Sequence, residues 1–170
     1  FCTHKPGLGK RRSRKIEEIL DQVNTAEKEG IDRVILMGME TAMYGIEHKT
    51  PFPMLLDEVM KLKGDFEVHI AQFNPFGIQK YYDELIKTMV NKRITDFQAP
   101  FQSTSKRILN MMNRKYFDPE IVSAFMKKLR KENTRIVCRT DMIVGWPTET
   151  EKERNDSLEF AAENFDEVAV

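Results

Sequence analysis

Residues 34–38 read Val34-Ile35-Leu36-Met37-Gly38, a continuous apolar run that ends at a glycine. Such a run is typical of a parallel strand that is buried on both faces. The apolar residues before it recur at helical spacing: Ile16, Ile19, Leu20 and Val23. This first helical pattern stops at Gly30, and a second one starts at Pro53. The sequence therefore predicts a helix, a buried strand and a helix in succession.

The same alternation continues along the chain. Further strands are predicted at residues 66–70, 94–99 and 135–144 and from Val168 onward. The predicted helix starts between them include a cap at Ser105, a cap at Asp118, and a capping box at Thr148–Glu151 or Thr150–Glu153. Strands that recur at intervals of roughly 30 to 40 residues, each followed by a helix, are typical of parallel βα units. This pattern permits a barrel or an open α/β sheet.

Composition limits the class of protein. The chain has 170 residues, of which 41% are hydrophobic and 32% charged, with a formal net charge of zero, as expected of one soluble globular domain. Its apolar runs are far shorter than the roughly 20 residues that span a bilayer, and no leader sequence is recognisable. We therefore expect a cytoplasmic protein with no membrane association and no stable partner.

Cysteine is scarce, because only Cys2 and Cys138 are present. Two distant cysteines do not form a disulfide framework, so a reducing compartment is expected. Cys138 lies in an apolar run and is predicted to be core. Cys2 resembles one ligand of a metal site, but one thiolate alone cannot hold an iron-sulfur cluster.

A basic run, KRRSRK, extends from Lys10 to Lys15. It has two interpretations, a solvated helix start or a surface that contacts the phosphates of a nucleic acid. The second interpretation would make the chain an RNA-binding module.

Polar residues follow the predicted strands, where the active sites of both candidate architectures lie. The candidates at these strand ends are Glu40, Thr41, Gln72, Asn74, Gln102, Ser103, Arg139, Asp141 and Glu149. Arg139 falls inside an apolar strand, so we expect it to have a specific partner. Gly145-Trp146-Pro147 reads as a tight strand-to-helix turn.

Four segments match a known family in the same order: Phe1-Cys2 with Gly9 and Ser13-Arg14, GMETAMYG at 38–45, QSTSKRILNMMNRKY at 102–116, and RTDMIVGWPTETE at 139–151. In these segments the chain resembles the central radical SAM domain of the methylthiotransferase family. That family includes enzymes that methylthiolate tRNA adenosines and a relative that acts on a ribosomal protein. The resemblance covers nearly the whole chain.

The resemblance implies a partial (β/α)6 barrel of the TIM-barrel type that lacks its first strand. Residues 1–170 would form one domain, without the family's N-terminal methylthiotransferase domain and C-terminal RNA-binding domain, and this fragment alone would be inactive. Its cofactors would be a [4Fe-4S] cluster and S-adenosylmethionine (SAM). An electron donor and a tRNA substrate are the implied partners.

The resemblance also implies residue roles. Cys2 would be the last of three cluster ligands, leaving one iron open for SAM. Glu40 would pair with the ammonium group of SAM, Arg139 or Ser103 would hold its carboxylate, and Gly145 would let the backbone approach the adenine. The remaining cofactor contacts would be Thr41, Gln102 and Asp141. No catalytic residue is predicted.

The chain departs from the family pattern at three positions. Leu8 replaces an arginine, and Thr104 and Thr148 each replace a glycine. Two further alternatives therefore stay open, another radical SAM enzyme that shares the barrel and a cluster-free α/β barrel enzyme in which Cys2 is incidental.

Overall fold

The computed structural model of the chain describes Gly7 and residues 9–170. The helices are α1 (Ile16–Lys28), α2 (Phe52–Lys61), α3 (Pro75–Lys80), α4 (Tyr82–Met89), α5 (Lys106–Met111), α6 (Pro119–Glu132) and α7 (Glu151–Asn164). The strands are β1 (Arg33–Leu36), β2 (Glu67–Ile70), β3 (Ile94–Gln98), β4 (Val137–Asp141) and β5 (Glu167–Ala169). Two short 3-10 helices, Thr41–Met43 and Ile46–His48, follow β1.

Within residues 9–170 the strands form one five-stranded parallel sheet whose spatial order is the sequence order, β1-β2-β3-β4-β5. A doubly wound open sheet reverses its strand order at a switch point, whereas the wall of a barrel adds each strand beside the last. The order of these strands is that of a barrel wall. The prediction of an α/β fold with part of a TIM-like barrel is therefore confirmed.

One face of the sheet is apolar and lies under helices. Val68, Ile70, Phe97 and Cys138 are fully buried on it. The ring of Phe97 lies 5.5 Å from that of Phe73 and 6.2 Å from that of Phe125 on α6. The core therefore lies between the sheet and its helices, and Cys138 is core as predicted.

The opposite face of the sheet is polar. Paired residues of parallel strands share a face, and Asp96 is paired with His69 on β2 while Gln98 is paired with Arg139 on β4. Arg139 Nε lies 2.7 Å from Asp96 Oδ2, and its Nη1 lies 3.2 Å from Glu167 Oε2. The specific partner expected for Arg139 is thus confirmed.

Several local predictions are confirmed. The side chains of Ser105 and Asp118 accept hydrogen bonds from backbone N–H groups in the first turns of α5 and α6. A reciprocal capping box between Thr150 and Glu153 begins α7, so the alternative start at Thr148 is wrong. Gly30 follows α1 with a left-handed φ of +80°, which suits a residue without a Cβ.

Other local predictions are wrong. The first strand is not buried on both faces, because Ile35 is 57% exposed. Ile35 is paired with His69 and therefore lies on the polar face of the sheet, on the edge strand β1. The fourth strand ends at Asp141 rather than continuing to residue 144.

Helix α3 was not predicted, although its sequence carries a start signal. Asn74 accepts a hydrogen bond from Phe76 N at 3.0 Å, and Pro75 occupies the first helical position. The polar residues after β2 therefore serve partly as a helix cap.

None of the described helices is long and apolar enough to cross a membrane.

Candidate functional site

Glu40 lies at the carboxyl edge of the sheet, between β1 and its first 3-10 helix. Its Oε1 accepts a hydrogen bond from Asn74 Nδ2 at 3.3 Å, and its Oε2 lies 3.4 Å from Arg11 Nη2. Both contacts are long, and the Glu40 side chain remains 46% exposed. The carboxylate is therefore held in place but still accessible to a cationic ligand.

The basic run at Lys10–Lys15 lies directly before α1, as the helix-start interpretation predicts. Its Ser13 side chain accepts a hydrogen bond from Gly45 N at 2.9 Å, and the Arg14 carbonyl accepts one from the Tyr44 hydroxyl at 2.7 Å. These contacts attach the run to the loop after β1, and they bring Arg11 to Glu40.

Thr41 is buried beside Glu40. Its hydroxyl donates to Ala71 O at 2.6 Å and accepts from Gly38 N at 3.0 Å. Its own N–H donates to Gln72 O at 3.2 Å. Thr41 thus joins the loops after β1 and β2, and its predicted cofactor contact stays a prediction.

Gln98 and Asp141 extend this polar edge across β3 and β4. Gln98 Nε2 donates to Asp141 Oδ2 at 2.9 Å, and Gln102 N donates to Asp141 O at 3.1 Å. The side-chain amide of Gln102 makes no hydrogen bond to any residue within 9–170. Gln98 was not among the predicted site residues, although a polar residue that ends an apolar strand could have indicated it.

The backbone at this edge is locally strained. Gln72 has a φ of +55° and Gln102 a φ of +68°, in the left-handed region that residues with a Cβ rarely adopt. Such conformations persist only where the surrounding structure holds them in place. They are concentrated at functional sites. The two glutamines follow the neighbouring strands β2 and β3, so both strained residues lie at the carboxyl edge of the sheet.

Neither Ser103 nor Arg139 contacts Glu40 in the part of the chain that the structure describes. Ser103 is fully buried, and its Oγ accepts from Ser105 N at 3.1 Å and lies 3.4 Å from Ser157 Oγ. Arg139 is paired with two carboxylates on the polar sheet face. Burial raises the pKa of Asp96 above its usual value even beside the Arg139 guanidinium. The predicted roles of Ser103 and Arg139 stay predictions.

Arg114 supplies a cation close to this edge. It donates to Pro100 O at 2.9 Å, and burial lowers its pKa, opposed by the charge of Glu40. A half-buried guanidinium with donors to spare is suited to a carboxylate or phosphate. Arg114 lies within the matched segment 102–116, but nothing in its local pattern indicates the burial.

Gly145 forms the tight turn after β4 that the sequence predicts. Its φ is +74°, and a Cβ built on it would meet no atom within 4 Å. Its N–H donates to Glu149 Oε2 at 2.6 Å. Gly145 and Glu149 line a surface depression of about 250 Å³ with Thr150, Glu151 and Arg154. The backbone at Gly145 is therefore open to a flat ligand.

Cys2, the predicted metal ligand, lies outside the described residues. The described residues contain no group of three side chains that could hold a metal ion. Cys138 is buried, and burial raises the pKa of its thiol to about 12, so it is not a thiolate ligand.

Comparison with known proteins gives a match to the radical SAM superfamily over residues 1–161. The ribosomal protein uS12 methylthiotransferase RimO of Thermosipho melanesiensis is 34% identical over 174 residues, covering 100% of this chain and 40% of the relative. The protein of the same name from Clostridium botulinum is 37% identical, covering 100% of this chain and 39% of the relative.

The tRNA-2-methylthio-N(6)-dimethylallyladenosine synthase of Hydrogenobaculum sp. is 32% identical over 94% of this chain and 36% of its own length. The chain thus spans about two fifths of the curated relatives that it matches. Coproporphyrinogen III oxidase (HemN) of Escherichia coli, a radical SAM enzyme, has a similar structure, with a TM-score of 0.57 over 94% of this chain and 39% of that chain. Its sequence identity of 19% supports the fold alone.

Proposed function

Because this chain belongs to the radical SAM superfamily, we propose that the protein is a methylthiotransferase that cleaves SAM and methylthiolates a tRNA adenosine or a ribosomal protein residue. One observation carries this proposal. Relatives whose names specify methylthio transfer align with 94% to 100% of the chain at 32% to 37% identity. The order of the strands and the polar carboxyl edge agree with such a site.

The described residues fit SAM at this edge. Glu40 offers an accessible carboxylate for the ammonium group, and a charge-assisted hydrogen bond of this kind is stronger than a neutral one. Gly145 offers an open backbone, against which an adenine ring can lie. Thr41 and Asp141 would fix the loops that carry these contacts, because both hold backbone groups of neighbouring strand ends.

The carboxylate of SAM requires a donor, and the structure changes the preferred candidate. Ser103 is fully buried, and Nε and Nη1 of Arg139 already contact Asp96 and Glu167. The Gln102 amide makes no hydrogen bond to the residues that the structure describes, so we assign the carboxylate to Gln102, with Arg114 supplying positive charge nearby.

Cys2 would hold the cluster, as one of three thiolate ligands. A bound [4Fe-4S] cluster would supply the reductive cleavage of a carbon–sulfur bond of SAM, with the electron coming from an external donor. The protein's own part is to orient SAM beside the cluster and to keep the polar sheet face available for the acceptor.

The proposal is tested with the full-length protein, purified without oxygen and reconstituted with iron and sulfide. We expect Cys2→Ala to lose cluster iron and SAM cleavage together. Cys138→Ala is the matched control, because that buried thiol is no ligand and its removal leaves cleavage intact in the folded fraction. Full cleavage by Cys2→Ala would refute the cluster assignment.

The acceptor is identified separately. Candidate tRNA and ribosomal protein uS12 are each incubated with the reconstituted protein, and nucleosides and peptides are analysed by mass spectrometry. A methylthio mass gain on one of the two is expected. SAM cleavage without a gain on either acceptor would leave a radical SAM enzyme that is not a methylthiotransferase.

A further inference from the structure

Thr148 occupies a backbone position that its side chain disfavours. Its φ is +70°, which is a strained conformation for a β-branched residue. Glu149 N donates to Trp146 O at 2.8 Å, which closes a four-residue turn with Pro147 and Thr148 at its centre. Proline followed by a residue with positive φ is the pattern of a type II β-turn, whose third position favours glycine. Something must therefore hold Thr148 in this turn.

Arg107, on α5, contacts Thr148 through two separate atoms. Its Nη1 donates to the Thr148 hydroxyl at 2.9 Å, and its Nη2 donates to the Thr148 carbonyl at 2.8 Å. The side chain and the carbonyl of Thr148 are fixed together, so the guanidinium sets the orientation of the peptide that follows. A planar, multidentate donor of this kind is not replaced by lysine.

Glu153 fixes the guanidinium from its other side. Arg107 Nε and Nη2 donate to the two oxygens of Glu153 at 3.0 and 2.6 Å. Glu153 also accepts from the Ser105 hydroxyl at 2.6 Å and from Thr150 N at 3.0 Å. These hydrogen bonds link Arg107 to the first turns of α5 and α7. They also attach the turn at residues 145–149 to both helices.

We propose that Arg107 is a positioning residue for SAM, which holds Thr148 in its left-handed conformation and so presents the Gly145 backbone to the adenine. This inference rests on the proposed function, which assigns the adenine to Gly145. The turn is short, and Gly145 N donates to the same Glu149 whose N–H closes it. A rotation of the Thr148 peptide therefore displaces Gly145.

The proposal predicts that the effects of substituting Arg107 and Thr148 are coupled. If the role of Arg107 is to hold Thr148 at its disfavoured φ, then Arg107 becomes dispensable in Thr148→Gly, because glycine adopts a positive φ without a steric penalty. Trp146 is the single tryptophan of this chain and lies in the turn, so its fluorescence reports on the turn once the signal of any other tryptophan has been subtracted.

The experiment uses full-length protein, wild type and the variants Arg107→Ala, Arg107→Lys, Thr148→Gly and Arg107→Ala with Thr148→Gly. SAM is titrated without a reductant, and the Trp146 signal is isolated by subtracting that of Trp146→Phe. We expect Arg107→Ala to weaken SAM binding about tenfold, as the loss of a pair of hydrogen bonds from a charged donor implies. Thr148→Gly alone should change it less than about twofold, and the double variant should recover to within about threefold of wild type.

Steady-state cleavage supplies a second readout. A positioning role raises the KM for SAM in Arg107→Ala and leaves kcat at saturating SAM close to wild type. A role in stability alone lowers the melting temperature and is not rescued by Thr148→Gly. If Arg107→Ala is too unstable to purify, Arg107→Lys with and without Thr148→Gly gives the same comparison, because lysine keeps the charge but loses the double contact.

The outcomes separate the two claims. A wild-type protein that does not bind SAM refutes the proposed function and this inference with it. Wild-type binding combined with unchanged binding by Arg107→Ala overturns the inference alone. The same holds if the double variant binds as weakly as Arg107→Ala.

Discussion

Asn133→Ala is expected to destabilise the fold strongly while leaving the carboxyl edge of the sheet unchanged. Asn133 is fully buried at the end of α6, and its Nδ2 donates to Met89 O at 2.9 Å and to Ile94 O at 2.8 Å. A third, longer contact reaches Asn91 O at 3.2 Å. One amide thus joins α6 to the connection that leads into β3.

The size of the effect follows from those two buried carbonyls. Leaving a buried acceptor without its donor costs about 1–3 kcal/mol, and partial hydration of the vacated space reduces the sum, so we expect a loss of about 2–4 kcal/mol. For a domain of this size each kcal/mol lowers the melting temperature by about 2–4 °C, which gives a decrease of roughly 5–15 °C.

Thermal unfolding followed by far-ultraviolet circular dichroism measures this decrease. Asn110→Ala is the matched control, because Asn110 is exposed on α5 and its side chain has no hydrogen bond to the described residues. The control should stay within about 0.5 kcal/mol of wild type. Asn133 lies at the amino end of β3 and β4, so SAM affinity below the melting temperature should not change. Equal melting temperatures for the two variants would refute the reasoning.

Three further outcomes follow from the site and its surroundings. Burial raises the pKa of Cys138 to about 12, so iodoacetamide at about pH 8 should leave this thiol unmodified in native protein and label it in urea, as mass spectrometry would show; rapid native labelling would contradict its burial. Hydrogen bonds from Arg107 and Ser105 hold the pKa of Glu153 well below its usual value, so its contribution to stability is present near neutral pH and is lost as pH falls below about 4.5; Glu153→Gln should flatten the acid side of a melting-temperature profile, and an unchanged profile would argue against the network. Glu40→Gln should weaken SAM binding about tenfold by calorimetry, since a half-exposed carboxylate loses its charge-assisted bond, whereas the exposed Glu159→Gln should bind as wild type; equal affinities for the two variants would remove Glu40 from the site.

The family and the fold could be predicted from the sequence, because both depend on patterns formed by residues close together in the chain. Alternating apolar runs and helix signals such as Asp118-Pro119 specified the βα units, and the capping box at Thr150–Glu153 forms as one of its two predicted alternatives. The matched segments specified the radical SAM superfamily, which the comparison over residues 1–161 confirms. Helix α3 was missed because its six residues show no helical periodicity, and only the Asn74-Pro75 signal marks it.

The candidate site could be predicted only in outline. Position after a strand indicated Glu40 and Gln102, but the same rule also selected Ser103, which is buried against Ser157. Gln98 was missed, and Arg114 was not selected as a site residue, because their positions depend on hydrogen bonds to Asp141 and Pro100, which lie in other segments of the chain. A strand-end rule gives the edge on which a residue lies, and it does not give the direction of its side chain.

The sequence by itself determined the alternation of strands and helices, apart from α3, and the superfamily of the chain, because propensities, caps and motifs act between residues close in the chain. Only the tertiary structure decided how side chains from separate elements meet. The pairing of Arg139 with Asp96 and Glu167 depends on strand register, and the contact of Arg107 with the left-handed Thr148 depends on the packing of α5 against the start of α7. Hydrogen bonds and ion pairs act over a few ångströms, so contacts between residues far apart in sequence exist only once the sheet has aligned its strand ends.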